Sequence, residues 1–244
     1  MTQERFLTVP SSGEAARPFA VLCDEAEAAL PPGFPAEVSQ VLVALDIDGT
    51  ILTPAGATER VLEGIHGLSA AGAQVVIATG RALEGVTPVL EVLDFTEGWA
   101  LCNNGATLVR VRGGECEIVE EHTFVPGPVL AEIADALPEA VFASMPHPDT
   151  LLSAPFPNDE IEGTDRRVVS MEELASTPTP KVVVREPDMD RDYFESVLTS
   201  LTVARTHEVF VGWTSWADIE PKGVTKASGL EELRVRLDVP GAGT

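Results

Sequence analysis

The run Asp46-Ile47-Asp48-Gly49-Thr50 sets two carboxylates two residues apart, followed by a glycine that permits a tight turn and a threonine able to donate a hydrogen bond. That composition suits a reaction needing two acids in different roles, one to attack and the other to shuttle protons. A solvated acidic turn and a calcium loop are the competing readings of Asp-x-Asp-Gly. The calcium loop fails on spacing. With Asp46 in its first position, Ile51 falls where the sharp-turn glycine belongs, Pro54 falls in the ninth slot, and Ala57 falls where a bidentate glutamate is required.

Two further groups bring complementary charge. Thr79-Gly80-Arg81 combines a hydroxyl, a residue that exposes backbone N–H groups and a guanidinium, the parts of an oxyanion cradle. Lys226, in Pro221-Lys222-Gly223-Val224-Thr225-Lys226, falls in the expected first turn of a helix, where the macrodipole disfavours a cation and an anion site would justify one. Taken singly, Thr-Gly-Arg is a common turn and Lys226 a solvated lysine; their order along the chain gives them weight.

Each group sits at the end of an element that can position it. Val41–Leu45 is apolar on both faces, the pattern of a central parallel strand covered on two sides, and it delivers Asp46 at the carboxyl edge, where open parallel sheets bind ligands. Val61, Leu62, Ile65 and Leu68 recur at helical spacing from a Thr58 N-cap, and Gly72 closes that helix before a second apolar strand, Gln74–Ala78, which delivers Thr79. Strand, helix, strand implies a right-handed parallel crossover. A second helix is expected to enter near Pro88, and a third strand, Trp99–Cys102, leads to Asn103-Asn104-Gly105.

After that the grammar changes. Ala106–Val111 and Glu117–Phe124 flank Arg-Gly-Gly-Glu, a hairpin signal, and a helix Pro128–Leu137, a strand near Val141, a capping box at Ser170–Glu173, a strand Lys181–Arg185, a helix over about 190–201 and paired strands within 202–213 follow. This block reads as a separate α+β module. A strand Ala217–Glu220 and a helix from about Thr225 are read as a return to the first sheet.

Asp-x-Asp-Gly-Thr after strand one, Thr-Gly-Arg after strand two, Asn-Gly-Ala after strand three and a late Gly-Val-Thr-Lys before a helix together resemble the haloacid dehalogenase superfamily, and within it the Cof-type branch with an inserted α/β cap. The resemblance spans residues 41–244. It implies an α/β fold: a Rossmann-like parallel-sheet core in two parts, 41–106 and 213–244, around an α+β cap over 107–212, with residues 1–40 as an irregular lead-in that includes a short helix near Phe19–Leu30. It also implies a phosphatase that hydrolyses a small phosphomonoester, a sugar phosphate by family expectation, through an aspartyl-phosphate. Asp46 would be the nucleophile and Asp48 the acid and base. Thr79 and Gly80 would hold the phosphoryl group with Lys226, and Arg81 and Asn104 would lie near the phosphate or the cap junction. Mg²⁺ would be held by the Asp46 carboxylate, the Asp48 main-chain carbonyl and a later acidic motif. Cations are needed there because each unit of carboxylate–phosphate repulsion costs about 4 kcal/mol at roughly 4 Å and an effective dielectric near 20.

The sequence departs from the family in one place: the acidic Gly-Asp-x-x-x-Asp run expected after the Lys226 helix does not occur before Thr244. The reading is therefore of a C-terminally truncated phosphatase with an exposed apolar edge at Val41–Asp46, impaired in turnover or reduced to binding a phosphate ligand. Asp218 and Glu220 are the nearest acids on the returning strand, and nothing in the resemblance promotes them to metal ligands. His66, His122, His147 and His207 lack paired ligand spacing, Trp213 and Trp216 read as packing residues, and Cys102 reads as a small core hydrophobe.

Composition narrows the partners. Sixteen Lys and Arg against 39 Asp and Glu leave a net charge of -23, which argues against a binder of the nucleic-acid phosphate backbone and against a basic protein of the membrane surface. No apolar run approaches the roughly 20 residues of a membrane span. Cys23, Cys102 and Cys116, an odd set without metal-type spacing, and the lack of a signal-type start suggest reduced thiols in a cytoplasmic protein.

Overall fold

The computed structural model describes residues 18–53, 56–156, 161 and 166–244. Residues 1–17 of the expected lead-in, and Pro54 of the rejected calcium pattern, lie outside them. The chain forms two compact units, Met1–Ile77 with Glu231–Thr244, and Ala78–Leu230.

The first unit begins with helix α1 (Phe19–Ala28), which buries no side chain. Strand β1 (Leu42–Leu45) pairs in parallel with β2 (Gln74–Ala78), and α2 (Glu59–Ala70) connects them, the crossover expected from the apolar periodicity. Thr58 caps α2 by accepting from the Val61 N–H at 3.4 Å, and Gly72 ends it at φ 93°. β1 is less covered than its sequence suggests: Leu42 is buried, Val43 and Leu45 are half-buried and Ala44 is exposed. Among the described residues it pairs with β2 alone, so one of its edges has no strand against it.

The second unit opens at the end of β2. Helix α3 (Leu83–Val92) starts five residues before the expected Pro88, which lies inside it; the apolar residues Leu83, Val86, Val89 and Leu90 are all buried, so their packing overrides the local preference for proline at a helix start. Strands β3 (Glu97–Cys102), β4 (Thr107–Arg112) and β5 (Glu115–Glu121) form an antiparallel meander, turning at Gly113 and Gly114 with φ of 57° and 81°.

A six-stranded sheet follows. It contains β6 (Val141–Ser144), β7 (Thr150–Leu152), β8 (Arg166–Val168), β9 (Val182–Arg185), β10 (His207–Val211) and β11 (Trp216–Pro221), in the order β10-β11-β9-β6-β7-β8. Helices α4 (Gly127–Ala136), α5 (Met171–Ser176) and α6 (Arg191–Ser200) bury Leu130, Ile133, Leu174, Phe194 and Leu198 against Phe142, Val182, Val184, Ala217 and Ile219. The Ser170 cap on α5 forms as expected, accepting from the Glu173 N–H at 3.2 Å.

Three sequence expectations are corrected. Part of 202–213 is a short helix, α7 (Val203–Thr206), leaving only β10 as a strand. The hairpin β4–β5, expected to open the α+β block, is hydrogen-bonded to β3. Strand β11, expected to return to the first sheet, instead pairs antiparallel with β10 and β9. A short strand of mixed pattern does not reveal its neighbours, because alternation fixes a face but not a partner.

Candidate functional site

In the first unit, Asp46 ends β1 half-buried and Asp48 is exposed on the following loop. Ile47 between them is fully buried, and its carbonyl accepts from the N–H groups of Thr50, Ile51 and Leu52 at 3.3, 3.2 and 2.9 Å. Alternation about this apolar anchor sends both acids away from the core. Gly49 turns at φ 73°, and its N–H donates to the Leu52 carbonyl at 3.1 Å. Thr53 and Gly56 exchange backbone hydrogen bonds of 3.2 and 2.8 Å and close the loop. The Asp46–Thr50 run is therefore a tight turn held by an interior isoleucine.

In the second unit, three turns converge. Thr79 is buried, its N–H donates to the Leu101 carbonyl at 2.8 Å, and its carbonyl accepts from the Asn104 N–H at 3.0 Å. Asn103 donates its N–H to the Arg81 carbonyl at 2.8 Å, so the turn after β2 and the turn after β3 are stitched together. Asn103 and Asn104 adopt φ of 49° and 52°, left-handed values that asparagine tolerates well. The third turn opens helix α8 (Lys226–Arg236). Thr225 and Ser228 cap each other there: the Ser228 N–H donates to Thr225 Oγ1 at 3.1 Å and the Thr225 N–H to Ser228 Oγ at 2.9 Å. Gly229 sits against Leu101 and Gly105, where a β-carbon would meet atoms at 3.1 and 3.2 Å. Thus Thr79, Gly80, Arg81, Asn104 and the first turn of α8, with half-buried Lys226 as its first residue, belong to one assembly of backbone turns.

Beside this assembly lies a buried polar group that sequence reasoning passed over. Lys181, Asp218 and Glu220 are 4%, 8% and 1% exposed. Asn104 Nδ2 donates to Asp218 Oδ2 at 3.2 Å and to Glu220 Oε1 at 2.7 Å. Lys181 Nζ donates to the Gly80 carbonyl at 2.6 Å and lies 3.6 Å from Asp218 Oδ2. Trp216 Nε1 donates to Asp218 Oδ1 at 2.8 Å. Burial, and then the charge of Asp218, push the Glu220 carboxyl up to about 8, while Lys181 and Asn104 pull it back. The signal was present in the alternation of β11: Ala217 and Ile219 face the helices, which sends Asp218 and Glu220 to the opposite face.

Other conspicuous residues lie elsewhere. His66 is exposed, and His147 Nδ1 lies 2.6 Å from Glu84 Oε1. Trp216 packs edge-on to Phe156, whereas Trp213, expected to pack, is 67% exposed. Cys102 is fully buried as expected.

The haloacid dehalogenase-like hydrolase family matches residues 43–244, a span that contains every one of the expected site residues. The chain belongs to this family. Two curated relatives are phosphatases by name only: a Streptococcus pyogenes protein, 41% identical over 83 residues, and YxeH of Bacillus subtilis, 34% identical over 77 residues. The matched stretches cover 33% and 30% of this chain and only 30% and 28% of those relatives, less than a third of their length. Among solved structures, a haloacid dehalogenase-like hydrolase from B. subtilis superposes with a TM-score of 0.67 at 16% identity, covering 82% of this chain and 79% of that one. A sugar phosphatase of haloacid dehalogenase subclass IIB superposes with a TM-score of 0.66 at 19% identity, covering 82% and 77%. These likenesses show the fold, α/β with a Rossmann-like core and a cap. None of the described helices of this haloacid dehalogenase-like protein is long and apolar enough to cross a membrane.

Proposed function

We propose that this haloacid dehalogenase-like chain is a Mg²⁺-dependent phosphomonoesterase that acts on a small phosphorylated metabolite of the sugar-phosphate class in the cytoplasm. The observation that supports the reading is the convergence of the Thr79–Arg81 turn, the Asn103–Gly105 turn and the α8 N-terminus; a hydroxyl, a glycine N–H and a lysine on such turns are the groups an anion site would use. The family membership and the sugar phosphatase among its structural neighbours support the substrate class. We assign the cap, and with it substrate choice, to the six-stranded sheet with α4–α7.

In this mechanism an oxygen of the Asp46 carboxylate attacks phosphorus, the ester P–O bond breaks, and the protonated Asp48 gives its proton to the departing oxygen. Asp48, now a carboxylate, takes a proton from water as that water attacks the aspartyl-phosphate; inorganic phosphate leaves and Asp46 is restored. The Thr79 hydroxyl, the Gly80 N–H and the Lys226 ammonium hold the phosphoryl oxygens, with Arg81 and Asn104 at the rim. The Asp46 carboxylate and the Asp48 main-chain carbonyl are hard oxygen donors at a solvent-accessible turn, which suits Mg²⁺, and they would hold it. When bound, the ion supplies neutralisation of charge between carboxylate and phosphate.

The test is phosphate release from an aryl phosphate and a sugar-phosphate panel, with and without Mg²⁺, beside Asp46→Asn. Metal-dependent release lost in the variant is the expected result. Phosphate binding without release would make the chain a ligand-binding protein instead.

A further inference from the structure

A chain of polar contacts runs from the buried lysine to the threonine hydroxyl. Lys181 Nζ donates to the Gly80 carbonyl at 2.6 Å. That oxygen belongs to the Gly80–Arg81 peptide, whose N–H points the opposite way across the amide plane. It donates to Thr79 Oγ1 at 3.2 Å. The Thr79 backbone is already fixed at both ends, by the Leu101 carbonyl and the Asn104 N–H, so the remaining freedom of this residue is the direction of its hydroxyl. An ammonium drawing on a carbonyl polarises the peptide and makes its N–H a stronger donor. With Oγ1 engaged as an acceptor from Arg81, the hydroxyl proton turns away from that peptide and is the donor offered to an anion.

The lysine is held in place as firmly as the peptide it touches. Asp218, 3.6 Å from Nζ, is itself oriented by Trp216 Nε1 and Asn104 Nδ2. Asn104 also covers Gly80, where a β-carbon would come 3.0 Å from Asn104 Oδ1. A lysine that is 4% exposed gains little from water, and the Gly80 carbonyl and Asp218, with the Glu220 carboxyl nearby, compensate its burial.

We infer that Lys181 is a positioning residue, which sets the Thr79 hydroxyl for phosphoryl binding by orienting and polarising the Gly80–Arg81 peptide. The functional half of this inference rests on the phosphate-binding role proposed for Thr79. The first measurement is hydrogen exchange of the Arg81 amide in the wild type and in Lys181→Met. Exchange should accelerate about tenfold or more in the variant while core amides such as those of Val76 and Ile133 are unchanged. The triple variant Lys181→Met/Asp218→Asn/Glu220→Gln removes the lysine together with both buried acids beside it and gives the same readout if the single variant does not fold. Unchanged Arg81 protection in the folded variant overturns the inference, whether or not the chain is a phosphatase.

The second measurement is a cycle with Thr79→Val on kcat/KM for an aryl phosphate. Lys181→Met should cost roughly tenfold beside the native threonine and less than about twofold beside Thr79→Val, because its target is already gone. Equal costs in both backgrounds would show that Lys181 acts by some other route. A wild type that releases no phosphate sinks the phosphatase reading alone, since the exchange experiment still decides the relay.

Discussion

Gly105 lies so close to the Thr225 carbonyl that a β-carbon on it would come within 2.3 Å of that oxygen. Its φ of 103° also lies where other residues are strained. Gly105→Ala must therefore either distort the Asn103–Gly105 turn or push the start of α8 away. We expect a loss of about 2 to 4 kcal/mol in denaturant unfolding, together with weaker phosphate binding as Lys226 moves relative to Thr79. A variant as stable as the parent would show that this approach is not required.

The raised pKa of Glu220, about 8 against an ordinary 4.5, has a defined effect on stability. The folded protein holds this proton more tightly than the unfolded chain. Its stabilising contribution is complete below the unfolded pKa and is lost as pH rises from about 4.5 to about 8. The groups facing it are Asp218 and Glu208, which oppose its ionisation, and Lys181 and Asn104, which favour it. Glu220→Gln has nothing to ionise. Its Tm relative to the wild type should therefore climb across that pH interval and level off above it. A constant difference would mean that Glu220 ionises alike in both states.

The turns that carry Asp46, Thr79 and Asn104 were legible in the sequence because each follows a short apolar strand and uses residues suited to abrupt turning. Elements with strong periodicity, such as α2 and α4, were legible for the same reason. The partner of β11 was not, since Trp216–Pro221 has the same alternation whichever sheet receives it. The Lys181–Asp218–Glu220 group was hidden too. Lys181 stands 37 positions before Asp218 and 39 before Glu220, and no local pattern says that the fold brings the lysine to the two acids and removes the water from all three. Trp213 was misread for the converse reason: a large aromatic implies burial only when a neighbouring surface covers it.

Cysteine reactivity should separate by burial. Cys102 is fully buried, and desolvation pushes its thiol far above the ordinary cysteine range, while Cys23 is exposed on α1. A disulfide reagent added to the native chain should label Cys23 readily and leave Cys102 untouched until denaturant is added. Mass spectrometry of the labelled peptides reads this directly, and rapid native labelling of Cys102 would contradict the packing of β3.

The two acids of the first turn should fail differently. Asp46→Asn removes the attacking oxygen from a half-buried position at the end of β1 without removing packing, so the fold should persist while turnover falls by several orders of magnitude. Asp48→Asn leaves the attacking group intact and removes proton transfer, a loss of about 10² to 10⁴ in rate. Substrates with good leaving groups need little protonation in the first step, so Asp48→Asn should retain more of the first step with an aryl phosphate than with an alkyl or sugar phosphate. The second step still lacks its base, and rapid-quench experiments with aryl phosphate should then show a burst of released phenol followed by slow phosphate release. Asp46→Asn should show no burst. An Asp48→Asn variant that loses both substrates equally, with no burst, would assign Asp48 to holding the turn or the metal rather than to moving the proton.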